Sequence, residues 1–458
     1  MNDELRVKDN ELGGKMNYRY RNDEEMKDSG VEWIGKIPNE WSIKPVKYLA
    51  NKNQYYPIGD GDHGSIKPEM YQDEGVPYIR VQNLSWGNEL NFEGMVYISE
   101  KVNNDNKKSI LKPKDILIAK TGATIGKTAI IPEGILEANT TSSVGKVTVD
   151  HSKVDYKYVA YYFQSLPFLT QINMTAYQKS AQPGFNIDDL IDYKVSLPEE
   201  IRKQREISDF LDKKTAQFDS IISKKEALIE KLEEAKKSLI SEVVTGKVKV
   251  VKSSDDGYEL VERKKEEMKD CGVEWLGEIP NGWEFKSIKY SMDVLNGKEI
   301  EDEHLNIDKL IAVFGSGGIF KYTSEVLYNE PSVLFGRKGT IGKPIYVEEP
   351  FWTVDTMYYT KIKKNTIPKY MYYMLIIYPW DRITTKTALP SIVASDVLKT
   401  KWCLPSLNEQ NCIVEYLDIQ FLLINKLINK IKKQIEKLKE AKQSLISEAV
   451  TGKIEILD

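Results

Sequence analysis

Lys120-Thr121-Gly122-Ala123-Thr124-Ile125-Gly126-Lys127-Thr128 is the segment whose residue types come nearest to a chemistry. Two glycines, a lysine and a hydroxyl resemble a loop whose backbone amides wrap phosphates. That pattern needs glycine at position 121, where Thr121 stands. A second version, Arg337-Lys338-Gly339-Thr340-Ile341-Gly342-Lys343-Pro344, puts Pro344 where the magnesium-binding hydroxyl belongs. A nucleotide-hydrolysing site is therefore disfavoured. Both segments keep a strand, a glycine turn and a lysine. This is either a structural turn or a loop that lays a lysine and N–H groups on a phosphate. Phe314-Gly315-Ser316-Gly317-Gly318 hints at the glycine loop of an S-adenosylmethionine enzyme, but the chain has no adjacent Pro-Pro pair, so the usual amino-methyltransferase motif is missing. A glycine-rich turn is the better reading. Glu234-Ala235-Lys236 has nuclease-like spacing, but it falls on the charged face of a long helix, where such spacing is ordinary salt bridging. His63, His151 and His304 lie too far apart for a metal site or a triad. No catalytic constellation emerges.

What remains are side chains suited to nucleic acid. Arg80, Gln82 and Asn83 follow a strand-like run. Arg and Lys recognise guanine edges, Asn and Gln recognise adenine edges, and all of them contact phosphates. Gln178, Lys179 and Gln182 lie in a polar loop, and Lys386 and Thr387 hold the matching place later in the chain. With Lys120, Thr121, Lys127, Ser316, Arg337, Lys338 and Lys343, these make the candidate DNA-binding set.

The elements that must position them come from an internal repeat. Residues 24–41 recur at 266–283 with 14 of 18 positions identical, Trp33 and Trp41 returning as Trp275 and Trp283 after a shift of 242 residues. A block around Ile240 returns around Ile446 after a shift of 206, so the first unit carries 36 more residues between its framing blocks. The inserts have diverged almost completely, as in one device that reads two different things. Gly30, Gly35 and Pro38 make the first frame turns and short strands, with its tryptophans as packing anchors.

The first insert carries β-type runs at 76–81, 115–119 and 145–149 and one aromatic amphipathic helix from Tyr156 to Leu169. The second repeats these pieces, with a strand at 332–336 and a helix from Tyr370 to Ile377.

Each insert ends in Leu-Pro, at Leu197-Pro198 and Leu404-Pro405, and then a long helix. Apolar residues at Ile207, Leu211, Phe218, Ile221, Leu228, Leu232, Ala235 and Leu239 step as a coiled-coil seam, interrupted by Lys214 and Lys225. The second seam runs Ile413, Leu417, Ile424, Leu427, Ile431, Leu438, Ala441 and Leu445, interrupted by Gln420 and Gln434. Gly246 and Gly452 end the helices as C-terminal caps.

These pieces predict an α+β fold with an internal pseudo-two-fold repeat. Two globular mixed α/β domains are joined by two long antiparallel coiled-coil helices. The expected segments are an arm at 1–23, a domain at 24–198, a helix at 199–247, a linker at 248–265, a domain at 266–405 and a helix at 406–453. The bland alternative packs each helix on its own domain.

Composition bounds the reading. Of 458 residues, 41% are apolar and 29% charged, as in a globular chain with extended polar helix. Three cysteines without a pairing pattern fit a reducing cytosol, and no stretch suits a signal peptide or a membrane span. A cytoplasmic location is expected. The net charge of −4 counts against a nucleic-acid binder, although a local basic face is compatible with an acidic remainder.

The layout resembles the specificity subunit of type I restriction–modification systems. The resemblance rests on Gly-Val-Glu-Trp-x-Gly-x-Ile-Pro-x-x-Trp at 30–41 and 272–283 and on Asp115-Ile116-Leu117 with its Gly-Lys turn. It rests also on Leu-Pro leading to Lys203-Gln204 and Glu409-Gln410, and on Leu-Ile-Ser-Glu-x-Val-Thr-Gly-Lys closing each helix. The resemblance implies two target recognition domains, each reading half of a bipartite double-stranded DNA site in the major groove. It implies helices that set the spacer and dock two modification subunits. Those subunits carry the S-adenosylmethionine chemistry on adenine, and restriction subunits add ATP- and Mg-dependent translocation and cleavage. This chain would itself hold no cofactor and be non-catalytic. A nucleotide-binding protein and a coiled-coil scaffold without a DNA role are the rival classes.

Overall fold

A computed structural model describes residues 18–176, 183–253, 257–301, 311–385 and 390–457. The chain divides into two compact units, residues 1–225 with 433–458, and residues 226–432. Each unit contains the start of one long helix and the end of the other (Ile201–Val244 and Leu407–Val450).

The first unit holds a four-stranded antiparallel sheet in the order Ile58–Asp60, Val144–Val147, Ile116–Ala119, Thr128–Ile130. Strand Ile116–Ala119 is apolar throughout because every residue in it is buried. A smaller sheet places Val76–Ile79 between Asn139–Thr140, parallel to it, and Val96–Ile98, antiparallel. The second unit repeats both sheets. Met292–Asn296, Met357–Ile362, Ser332–Gly336 and Ile345–Val347 form the larger. In the smaller, Ile311–Gly315 lies between Gly318–Thr323 and Phe351–Thr353. The equivalence survives the loss of sequence similarity because strand order depends on apolar periodicity, not on residue identity.

The framing blocks fold as antiparallel strand pairs, Met26–Asp28 with Lys36–Pro38 and Met268–Asp270 with Glu278–Pro280. Their turns use Gly30 and Gly272 at φ +69° and +67°. Buried Gln204 and Gln410 explain the repeated glutamine after each Leu-Pro. Gln204 accepts from the Asp155 amide and donates to the Pro198 carbonyl, and Gln410 accepts from the Ile367 amide and donates to the Pro405 carbonyl. Two buried tyrosines fasten the other helix ends. The Tyr158 hydroxyl donates to Val450 O at 2.9 Å and Tyr370 to Val244 O at 3.0 Å, filling carbonyls that a helix end leaves open. Burial raises both phenols well above their ordinary pKa.

Within each unit the two helix segments run antiparallel or lie side by side. In the first, Lys442 meets Asp219 at 2.6 Å and Lys225 donates to Gln434 at 2.8 Å, so numbers rise along one helix as they fall along the other. Lys225 and Gln434, both expected as breaks in the seam, thus satisfy each other. In the second unit, Lys236 reaches Asn425 at 3.0 Å and lies over the Phe421 ring.

Four expectations are revised. The helix expected from Tyr156 to Leu169 is two helices, Tyr156–Gln164 and Leu166–Ala176, broken at extended Ser165 because Pro167 follows closely and suits only a first turn. The seam departs by one residue at one place in each helix, with Ile222 and Ile428 buried where Ile221 and Leu427 were expected, while Leu211, Phe218, Leu417, Ile431, Leu438 and Leu445 are buried as expected and Leu228 is exposed. From Leu211 to Ile222 and from Leu417 to Ile428 the step is eleven residues, which suits a helix of about 3.67 residues per turn better than a strict heptad does. Within the expected loose arm, Tyr18–Tyr20 is a strand paired with Ile454–Ile456. The expected linker contains the hairpin Val248–Lys252 with Tyr258–Glu262. These are one ribbon made twice, by the chain's two ends in the first unit and by a continuous hairpin in the second.

Candidate nucleic-acid interface

In the first unit two separate segments, 183–185 and the loop 80–95, are bonded to the turn after strand Ile116–Ala119. Gly122 and Gly126 adopt φ +77° and +88°, which let the chain reverse. The Gly126 amide donates to Ala119 O at 3.0 Å and the Lys127 amide to Thr124 O at 3.1 Å. Gly122 N donates to Pro183 O at 3.2 Å, Phe185 N to Lys120 O at 3.2 Å, and Thr121 bridges Gly184. Ser85 and Thr128 exchange backbone bonds of 3.1 and 2.9 Å, which pins the loop 80–95 to the other side of the turn.

The second unit repeats this construction on unrelated residues. Gly339 N donates to Pro390 O at 3.1 Å and Ile392 N to Arg337 O at 3.1 Å, and Lys338 bridges Ser391. Arg337 N donates to Thr356 O at 2.8 Å while Val354 N donates to Phe314 O at 3.1 Å. The hairpin 311–323 and the lysine turn are therefore held by one short connection.

Gly122, Ile125, Gly126, Lys127 and Thr128 spend their amides on chain carbonyls, as do Arg337, Lys338, Gly339 and Ile341. These bonds support the structural-turn reading, most fully in the first turn, where the Gly126-Lys127-Thr128 amides that would wrap a phosphate are all taken. The lysine side chains remain available. Lys338 and Lys343 are exposed and Lys127 is half-buried, and among the described residues none of the three forms an ion pair. Arg337 is half-buried with its guanidinium 5.9 Å from the Tyr358 ring, and Ser316 is half-buried at the tip of the hairpin.

Other candidates are tied up. Lys120 is buried and salt-bridged to Asp60, so its ammonium serves the sheet and is not presented to a ligand. Asn83 is buried, accepting from Arg80 N at 3.0 Å and donating to Asn91 O at 3.0 Å, so it folds the loop from within. Arg80 donates to Gly94 O at 2.6 Å and lies over Tyr71, with its Nε buried and unpaired, and Gln82 is an exposed neighbour at 3.4 Å from the same carbonyl. Gln178, Lys179, Gln182, Lys386 and Thr387 lie outside the described residues, as does His304. The residues that flank those two loops, Pro183 to Phe185 and Pro390 to Ile392, are the ones bonded to the turns.

Beneath the turn, charge is handled as structure. Burial raises the Asp115 carboxyl above its usual range, against hydrogen bonds from Thr148 and the Lys112 amide, and burial lowers Lys146, which donates to Ile110 O at 2.7 Å. Burial and a hydrogen bond to Asp62 raise Tyr78. Among the described residues no group of His, Cys, Asp or Glu is placed to hold a metal ion.

Sequence reasoning missed the apolar members. Trp86 and Phe92 in the first unit are 59% and 56% exposed, and Ile319 and Phe320 in the second are 51% and 53% exposed. The available signal was large apolar residues inside segments otherwise read as polar turns.

The protein-family comparison matches the chain twice, over residues 57–233 and 280–437, to the type I restriction modification DNA specificity domain. No curated protein sequence matches. Among solved structures, one described as the structural basis underlying complex assembly and conformational transition of the type I R-M system is 12% identical. It covers 90% of this chain and 98% of its own, with a TM-score of 0.66. The HsdS subunit from Thermoanaerobacter tengcongensis is 14% identical, covering 91% and 98%, with a TM-score of 0.47. The type I restriction-modification S subunit from M. genitalium is 14% identical, covering 90% and 96%, with a TM-score of 0.39. No described helix is long and apolar enough to cross a membrane. With two family matches that together take in most of the chain, each enclosing one lysine turn and its converging loops, this chain belongs to the family of type I restriction–modification DNA specificity subunits.

Proposed function

We propose that the chain reads a bipartite double-stranded DNA site, one half per unit, and carries no catalytic group of its own. The observation behind this reading is the bonding of a later segment, 183–185 or 390–392, to each lysine turn, built alike in both units from unrelated residues. Shared construction with divergent side chains suits two readers of different sequences. Lys127, Lys338 and Lys343 contact phosphate, and the variable loops contact base edges. In the first turn the amides of Gly126, Lys127 and Thr128 are taken by chain carbonyls, and in the second Pro344 replaces the hydroxyl, which speaks against the nucleotide-hydrolase alternative.

The long helices set the gap between half-sites and dock two modification subunits. An exposed apolar face on the second helix, Ile419, Leu422, Leu423 and Leu427, suits such docking. The modification subunits supply S-adenosylmethionine and methylate adenine. Restriction subunits supply the ATP- and Mg-dependent steps. Basic surface on the partners compensates the net charge of −4.

The test is single-molecule sequencing of DNA from cells co-expressing this chain with its modification subunit. A two-part adenine motif with a fixed gap, absent without this chain, is the expected result. A soluble complex that leaves no such motif refutes the proposal and favours a scaffold.

A further inference from the structure

The hairpin Ile311–Gly315 with Gly318–Thr323 breaks a rule of edge strands. Among the described residues Gly318–Thr323 is the outer strand of its sheet, where proteins usually place charge or proline. Here Ile319, Phe320 and Tyr322 are 51%, 53% and 44% exposed, and Lys321 is exposed between them. Ile319 to Tyr322 are exposed one after another, and the register shift between Val313 and Phe314 leaves Phe320 as an extra, bulged residue of the strand. The run is not loose, since five residue pairs join it to Ile311–Gly315 and the Phe320 ring lies against Gly315.

Its surroundings indicate what it meets. The connection 353–356 ties the hairpin, through Phe314, to Arg337 and so to the exposed Lys338 and Lys343. An exposed apolar edge joined by one short connection to a turn whose lysines form no ion pair among the described residues suits a polyanion with apolar groups. The first unit arrives at the same combination by another route. Its Trp86 ring lies beside Gly126, next to Lys127, on a loop following the equivalent central strand. The two sequences there are unrelated, so common ancestry of the residues does not account for it.

In duplex DNA the apolar feature of the major groove is the thymine 5-methyl group, and that groove admits a two-stranded β-ribbon. We propose that the hairpin 311–323 reads thymine, with Ile319 and Phe320 packing on 5-methyl groups in the half-site of the second unit. This rests on the DNA-reading function proposed above.

The test uses the full chain co-expressed with its modification subunit. Ile319→Ala and Phe320→Ala should relax an A·T position in one half of the methylated motif, leaving the other half and the gap unchanged. A duplex bearing the wild-type motif is then made with each thymine of that half replaced singly by deoxyuridine. The wild-type complex should methylate one such duplex about fourfold more slowly, the effect of one buried methyl group. The Phe320→Ala complex should be indifferent to the same replacement. An unchanged motif, or equal uracil sensitivity in the variant, overturns the inference. So does loss of modification-subunit binding in the variants, which would assign the edge to a protein contact. A wild-type complex that yields no motif sinks the DNA-reading function itself, and this inference with it.

Discussion

Gly246 and Gly452 close the two long helices at φ +75° and +69°, and each meets a framing block at close range. A Cβ on Gly246 would fall 2.5 Å from Pro280 Cγ and 2.8 Å from the Trp283 ring. One on Gly452 would fall 2.4 Å from Pro38 Cγ and 3.1 Å from the Trp41 ring. Proline rings cannot swing aside as a flexible side chain does. The left-handed backbone alone costs an alanine about 1–2 kcal/mol, and forcing a methyl into a packed contact adds about 1–3 kcal/mol. Gly30 and Gly272 supply the control, because they share the positive φ, at +69° and +67°, with nothing within 4 Å. Gly246→Ala and Gly452→Ala should therefore destabilise their units by about 2 kcal/mol more than Gly272→Ala and Gly30→Ala. At about 2–4 °C per kcal/mol for units of this size, Tm should fall by a further ~4–8 °C. Differential scanning calorimetry of the four full-length variants decides it. If the capping variants melt with the controls, the glycines are needed only for backbone conformation. The contact with Pro-x-x-Trp would then not explain why the two motifs recur together.

Three further predictions follow from the same geometry. Inserting one heptad between Phe210 and Val243 and another at the matching place in the second helix adds about 10 Å. The gap in the methylated motif should grow by about three base pairs at ~3.4 Å each with both half-sites unchanged, and an unchanged gap in the sequenced motif would sink the ruler reading. Lys127→Ala and Lys343→Ala should each weaken DNA binding by the assembled complex at most sequences and lower the log–log salt slope by about one, as read by fluorescence anisotropy over a salt series. Since the ribbon of Tyr18–Tyr20 with Ile454–Ile456 matches the hairpin 248–262, a chain joined from Ile456 to Tyr18 through a five-residue linker, as long as 253–257, and opened at 253–257 should fold with a closely similar melting profile. Calorimetry of the permuted chain checks this.

Much of the architecture was legible because it is repetitive and periodic. The twin frames, the two long helices, their capping glycines and the strand before each lysine turn are all local signals in the sequence. Apolar spacing of three and four specifies a helix, and a short apolar run between turns specifies a buried strand, before any distant contact forms. The sequence also offered no catalytic constellation, since the histidines are scattered and the phosphate-loop pattern is incomplete.

What it left open depends on which residues meet across long separations. At one place in each long helix the buried residue lies one position on, at Ile222 and Ile428, because the step of eleven residues from Leu211 and Leu417 keeps it on the same face of the helix. Lys120 and Asn83 have the chemistry of DNA contacts, yet the fold spends one on Asp60 and the other on its own loop. Trp86 and Phe320 look in sequence like ordinary core residues, but the fold leaves them exposed, Trp86 beside the lysine turn and Phe320 on its hairpin against Gly315. Residue type and spacing determine local conformation and the available chemistry. Only tertiary packing decides which polar groups already have partners and which apolar groups lack cover, because both depend on neighbours that are remote in the chain.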